Sequence, residues 1–118
     1  MLKPILSDLV DATDHALGAA VVSVDGLVID AHDATGMDPE PAHALPEFGQ
    51  VIRQLRAINE GFPLGDLLVT EVRSRERITL LRQLDAHYLL AMWVRPEALV
   101  SKARFRMRLA SPDIAIHL

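Results

Sequence analysis

Ala19-Ala20-Val21-Val22-Ser23-Val24-Asp25-Gly26-Leu27-Val28-Ile29-Asp30-Ala31 is the stretch whose reading decides the fold. Two short apolar runs flank Asp-Gly, a dipeptide suited to the positive φ angles of a type I′ turn, so the stretch predicts a β-hairpin. A two-residue turn sets Val24 opposite Leu27, Val22 opposite Ile29 and Ala20 opposite Ala31. One hairpin face is then wholly apolar, while the other mixes Val21 and Val28 with Ser23 and Asp30.

Upstream, Leu2, Ile5, Leu6, Leu9 and Val10 recur at helical spacing, with Lys3, Ser7, Asp8 and Asp11 opposite. The spacing predicts a helix over 4–15, with Pro4 in its first turn and Gly18 just beyond its end. Downstream, residues 32–38 read as a loop, and Asp38 suits the N-cap of a helix whose first turn holds Pro39, Glu40 and Pro41. Leu45, Phe48, Val51, Ile52, Leu55, Ile58 and Phe62 mark its long apolar face. Pro46 either kinks this helix or delays its start, and Gly61 and Pro63 close it.

Beyond Gly65, strands are expected over 67–72, 78–84 and 87–94, joined through Arg73-Ser74-Arg75-Glu76-Arg77 and through Asp85-Ala86. Leu80-Leu81 and the run from Tyr88 to Val94 are apolar at consecutive positions. Such strands are buried on both faces, so helices must plate both sides of the sheet. A last helix starts near Pro96-Glu97, carries Leu99, Val100, Ala103, Met107 and Ala110 on one face, and stops by Ser111-Pro112. The tail 111–118 alternates like a short strand, free to dock or to stay mobile. The expected architecture is a single α/β (α+β) domain over 1–118. Its order is α-β-β-α-β-β-β-α, with a mostly antiparallel five-stranded sheet and helices on both faces.

Half of the 118 residues are apolar, enough for one core and too few for two. The absence of cysteine excludes disulfides, a thiol nucleophile and thiolate metal sites, and favours the cytoplasm. The start, Met1-Leu2-Lys3-Pro4 followed by Ser7, Asp8 and Asp11, lacks a signal peptide's uncharged stretch, and no run is long enough to span a bilayer. A net charge of −4 argues against nucleic acid as a partner. Residues 1–72 carry three Lys/Arg against twelve Asp/Glu, whereas residues 73–118 carry nine against four. Halves of opposite sign suit a surface that meets an oppositely charged protein, and they let two copies of the chain attract each other.

No constellation points to an enzyme. GxGxxG and Walker A patterns are missing, the five histidines include no HExxH, and no serine sits in a GxSxG context. His32, Asp33, Asp38 and His43 could bracket a metal from a loop, yet solvated side chains are the better account, so no metal or cofactor is expected. Arg73, Arg75 and Arg77 at a hairpin tip are the candidate partner-binding residues, either as contacts or as an arginine finger that stabilises charge in a partner's transition state. The plainer account is a turn charged for solubility. Lys102, Arg104, Arg106 and Arg108 are similarly either a patch for an acidic partner or a solvated helix face.

The segment from Gly18 to Ala31 resembles the signature hairpin of the roadblock/LC7 family, with its small-residue strand, Asp-Gly turn and Gly-Leu-Val-Ile second strand. Tyr88-Leu89-Leu90-Ala91-Met92-Trp93-Val94-Arg95-Pro96-Glu97-Ala98-Leu99 and the basic helix that follows are similar to the family's last strand and helix. The resemblance implies a profilin-like sheet in a homodimer that joins the central strands of two copies into one continuous sheet, with the two long second helices packed on one side. It implies that the stretch from Leu67 to Val72, with Val69 and Glu71 in it, supplies the joining edge, and that Leu45, Phe48, Ile52, Leu55 and Ile58 are shared between core and interface. It also implies a non-enzymatic regulator that binds a Ras-like small GTPase and modulates its nucleotide cycle, or else a scaffold in a larger assembly. The Pro-rich start of the second helix and the apolar tail depart from the commonest pattern of the family.

Overall fold

The structure, a computed structural model, describes residues 2–34, 45–61 and 65–118. Helix α1 (Lys3–Ala12) is followed by strands β1 (Ala16–Ser23) and β2 (Val28–Asp33), helix α2 (Leu45–Glu60), strands β3 (Val69–Arg73), β4 (Ile78–Gln83) and β5 (Tyr88–Val94), and helix α3 (Val100–Ala115). The five strands form one sheet in the order β2-β1-β5-β4-β3, and every neighbouring pair is antiparallel. The expected element order is present. Asp38, Pro39, Glu40, Pro41, His43, Phe62 and Pro63 lie outside the described residues.

Alternation of side chains splits the core into two layers. Leu6, Leu9 and Val10 of α1 and Ala103, Met107 and Ile114 of α3 bury against Ala19, Val21, Leu80, Leu90, Met92 and Val94 on one face. On the other face, Leu45 and Ile52 of α2 meet Ala20, Val22, Leu81, Leu89, Ala91 and Trp93. Neighbours along β5 point to opposite faces and both faces are covered, which accounts for its consecutive apolar residues.

Three local expectations need correction. The β1–β2 turn is not a two-residue type I′ turn: Ser23 N–H donates to Leu27 C=O at 2.8 Å and Gly26 N–H to Ser23 C=O at 3.1 Å. Val24, Asp25 and Gly26 thus form a three-residue loop in which Gly26 takes the left-handed conformation (φ 98°) and Asp25 does not. Val22 therefore pairs with Val28 rather than Ile29. A bulge between Val21 and Val22 then restores the expected register, Ala20 opposite Ala31.

Gly18 does not end α1. The helix stops at Ala12, and the left-handed residue between α1 and β1 is His15 (φ 66°), a conformation His tolerates better than most residues. Gly18 lies within β1.

The last helix does not stop at Ser111-Pro112 but runs on to Ala115 with Pro112 inside it. The Ser111 hydroxyl donates to Met107 C=O at 2.7 Å, and Ile114, one turn on from Ala110, is fully buried. Burying an isoleucine is worth about 1.5–3 kcal/mol, comparable to the roughly 3 kcal/mol a proline costs inside a helix.

Candidate functional site

Helix α2 sits asymmetrically over its face of the sheet. Arg53 reaches Asp25 at the β1–β2 turn (3.8 Å), and Arg56 donates to Ala86 C=O (2.8 Å) at the β4–β5 turn. The latter turn is stiffened by Asp85, whose carboxylate accepts from the N–H groups of His87 (2.7 Å) and Tyr88 (2.9 Å). These contacts pin one flank of α2. The opposite flank carries Phe48, Val51, Leu55 and Ile58 at spacings of three and four residues, and Val51 and Ile58 are 46 % and 57 % exposed.

That flank looks toward β3, which among the described residues is an edge strand with only β4 beside it. Pairing of Val72 with Thr79 and of Thr70 with Leu81 places Thr70 and Val72 on the α2 face. Leu68, two residues before Thr70, is 64 % exposed. Phe48, Leu45, Val72, Thr79, Trp93, Ser74 and Arg77 line a hollow of about 270 Å³ between α2 and the end of β3.

The ladder fixes which backbone groups β3 leaves open. Gln83 N–H donates to Leu68 C=O (2.9 Å) and Ser74 N–H to Arg77 C=O (2.9 Å), so even-numbered residues bond inward to β4. Val69, Glu71 and Arg73 direct their N–H and C=O groups outward, and no described side chain accepts from them. Among the described residues, the site is thus an unpaired strand edge beside an uncovered apolar helix flank, the combination by which a sheet adds another strand.

The candidate residues divide. Leu45 and Ile52 are fully buried in the chain's own core, whereas Phe48, Leu55, Leu67 and Val69 are half-buried, and Glu71 is exposed. Ile58, Leu68 and Val72, also within the expected helix face and edge, are exposed, and Val51, which the sequence marked only as apolar, completes the surface. Helical spacing marked Val51 and Ile58 as apolar, but nothing in the sequence says which part of a wide apolar face meets its own sheet.

The three arginines do not form one cluster. Arg73 ends β3 opposite Ile78, on the α1/α3 face, and its guanidinium contacts the Glu71 carboxylate at 3.1 Å. Arg77 lines the hollow on the α2 side, and Arg75 is exposed at the tip. Among the described residues, no group of three or more His, Asp or Glu side chains could hold a metal ion, and no helix is long and apolar enough to cross a membrane.

No family model matches the sequence, and no curated protein matches it. Solved structures do. A roadblock/LC7 domain from Streptomyces avermitilis superimposes with a TM-score of 0.86 at 22 % identity, over 98 % of this chain and 96 % of that one. The gliding protein MglB from Thermus thermophilus gives 0.83 at 16 % identity, over 96 % and 84 %. Acanthamoeba castellanii profilin IB gives 0.63 at 15 % identity, over the whole of both chains. The chain has the roadblock/LC7 fold, an α+β sheet of the profilin-like kind. Other solved structures of that fold that it resembles include MglB and MglC from Myxococcus xanthus.

Proposed function

We propose that this chain is a cytoplasmic roadblock-type regulator that works by binding rather than by catalysis. Two copies join through β3, and the pair engages a Ras-like small GTPase and modulates its nucleotide cycle. The observation that carries the reading is the open β3 edge beside the uncovered flank of Phe48, Val51, Leu55 and Ile58. Antiparallel joining of two β3 strands makes one ten-stranded sheet about a twofold axis perpendicular to it, so both α2 helices lie on the same side. Exposed Val51, Ile58, Leu68 and Val72 are then brought together, which removes the liability of an unpaired edge.

The GTPase part of the reading rests on the roadblock/LC7 resemblance of the hairpin and last strand, and on the fold shared with MglB. A regulator of this kind contributes surface, and it shifts the GTPase between states only by binding them with different affinity. The test is to recover the GTPase that co-purifies with tagged chain from its own cells, then to measure GTP hydrolysis and nucleotide release with and without the chain. A change of severalfold in either rate supports regulation. Stable binding with both rates unchanged assigns the chain to scaffolding instead, and recovery of no GTPase overturns the partner.

A further inference from the structure

The layer formed by α1 and α3, on the side of the sheet away from α2, has an uncovered surface of its own. Helix α3 is apolar along two opposite stripes. Ala103, Met107 and Ile114 face the core, while Phe105, Leu109 and Ile116 face outward with 55 %, 53 % and 78 % of their surface exposed. The outward stripe is flanked by Lys102, Arg104, Arg106 and Arg108, all exposed, and none has an ion-pair partner among the described residues. Beside it, α1 presents Asp8 and Asp11, with Asp14 just past its end. These three are also exposed, and none has an ion-pair partner among the described residues.

The two helices lie antiparallel, because the end of α1 meets the start of α3. At that junction Thr13, His15, Leu99, Lys102, Phe105 and Arg106 contribute to a hollow of about 510 Å³, roomy enough for an aromatic ring. One surface therefore holds an acidic row, a basic row, an exposed aromatic side chain and a cavity.

We infer that this helix layer is a second self-association surface, whose occupant is the same layer of another copy. A twofold axis on the outer surface of the layer, parallel to the helices and above the line midway between them, sets α1 of each copy over α3 of the other. Each acidic row then meets a basic row, and Phe105 and Leu109 are covered at the centre, as an isologous interface requires. Charge complementarity selects this occupant over an anionic lipid surface, which would be repelled by Asp8, Asp11, Asp14 and Glu97 on the same layer. The surface is separate from the β3 edge and does not depend on it.

The test uses two charge-reversed chains, Asp8→Lys/Asp11→Lys/Asp14→Lys and Lys102→Glu/Arg106→Glu/Arg108→Glu, with mass read by sedimentation velocity and folding checked by circular dichroism. All six positions are exposed, and none has an ion-pair partner among the described residues. Wild type is expected to associate one step further than β3 joining alone. Raising salt from about 0.1 M to about 1 M shortens the screening length from about 10 Å to about 3 Å and should weaken that step about tenfold or more. Each reversed chain alone should lose the step, and an equimolar mixture should regain it, because opposite rows again face each other. Adding Glu71→Pro to all three chains removes sheet joining, so the helix-layer step is read by itself whether or not β3 joins copies. A wild-type mass insensitive to salt, or a mixture no larger than its components, overturns the inference. Binding of wild type to vesicles containing phosphatidylglycerol, without rescue on mixing, assigns the surface to lipid and overturns it equally.

Discussion

Gly18 lies against the indole of Trp93: a Cβ built on Gly18 would stand 2.6 Å from Trp93 Cε2 and 2.8 Å from the His32 carbonyl oxygen. The two residues are cross-strand partners on β1 and β5, and the ring occupies the space a side chain would need. Gly18→Ala should therefore destabilise the fold by about 1–3 kcal/mol through overpacking, read from the midpoint of urea unfolding. Trp93 Nε1 is buried without an acceptor among the described residues, so Trp93→Phe forfeits no hydrogen bond there. The double variant should recover part of the Gly18→Ala loss, though the His32 oxygen keeps it from recovering all. Strict additivity of the two changes would contradict this packing.

Glu71 directs its N–H away from β4, so Glu71→Pro removes an outward donor while sparing every ladder bond. The variant should remain folded and run as a species of half the mass if β3 joins two copies. Thr70→Pro, which breaks an inward bond, should unfold more readily by roughly 1 kcal/mol or more. Unchanged mass for Glu71→Pro would remove β3 from the interface.

Reversing the charge of Arg73, Arg75 and Arg77 together should leave association through β3 intact and weaken capture of the GTPase. The structure refines the expectation, since Arg77 lies in the hollow beside Phe48 whereas Arg73 is held by Glu71 on the other face. Arg77→Glu alone should then account for most of the loss in a pull-down, and Arg73→Glu for little. Capture that survives the triple change reduces the tip to a solubilising turn.

Pro112 denies its helix one backbone donor, and Ile114 fills the core just beyond it. Pro112→Ala should raise stability by about 1 kcal/mol or more, and Ile114→Ala should lower it by about 2–5 kcal/mol. Thermal or urea unfolding of the pair gives the two signs directly. A stabilised Ile114→Ala would mean that the end of α3 does not pack as described.

Most of the architecture was legible because apolar spacing separates helices from strands, and because the Tyr88–Val94 run admits only a strand plated on both sides. Boundaries and turn chemistry were less so. Asp25-Gly26 marks a reversal of the chain, but the same dipeptide serves a two-residue turn and a three-residue loop, and the choice moved Val22 from Ile29 to Val28. Pro112 signalled a helix end that burial of Ile114 overrode. The candidate site was legible as a joining strand near a long helix, yet exposure of Val51 beside Ile58 depends on which part of the wide apolar face of α2 meets the sheet. Contacts of Arg53 and Arg56 with two distant turns lie on the other flank, a three-dimensional matter no linear pattern carries.

The far end of the sheet is built differently from β3. Ala34 N–H bonds to Leu17 C=O, so Ala31 is among the β2 residues that point outward, and its N–H is taken by the Asp30 carboxylate at 2.9 Å. The bulge between Val21 and Val22 adds a local twist along the same strand. A newcomer approaching β2 finds a donor already occupied and a crooked template, whereas one approaching β3 finds a straight and vacant one. If two chains pair through β3, each end of the joined sheet is then a β2 strand, so growth along the sheet stops there and edge pairing by itself does not lengthen into a fibre.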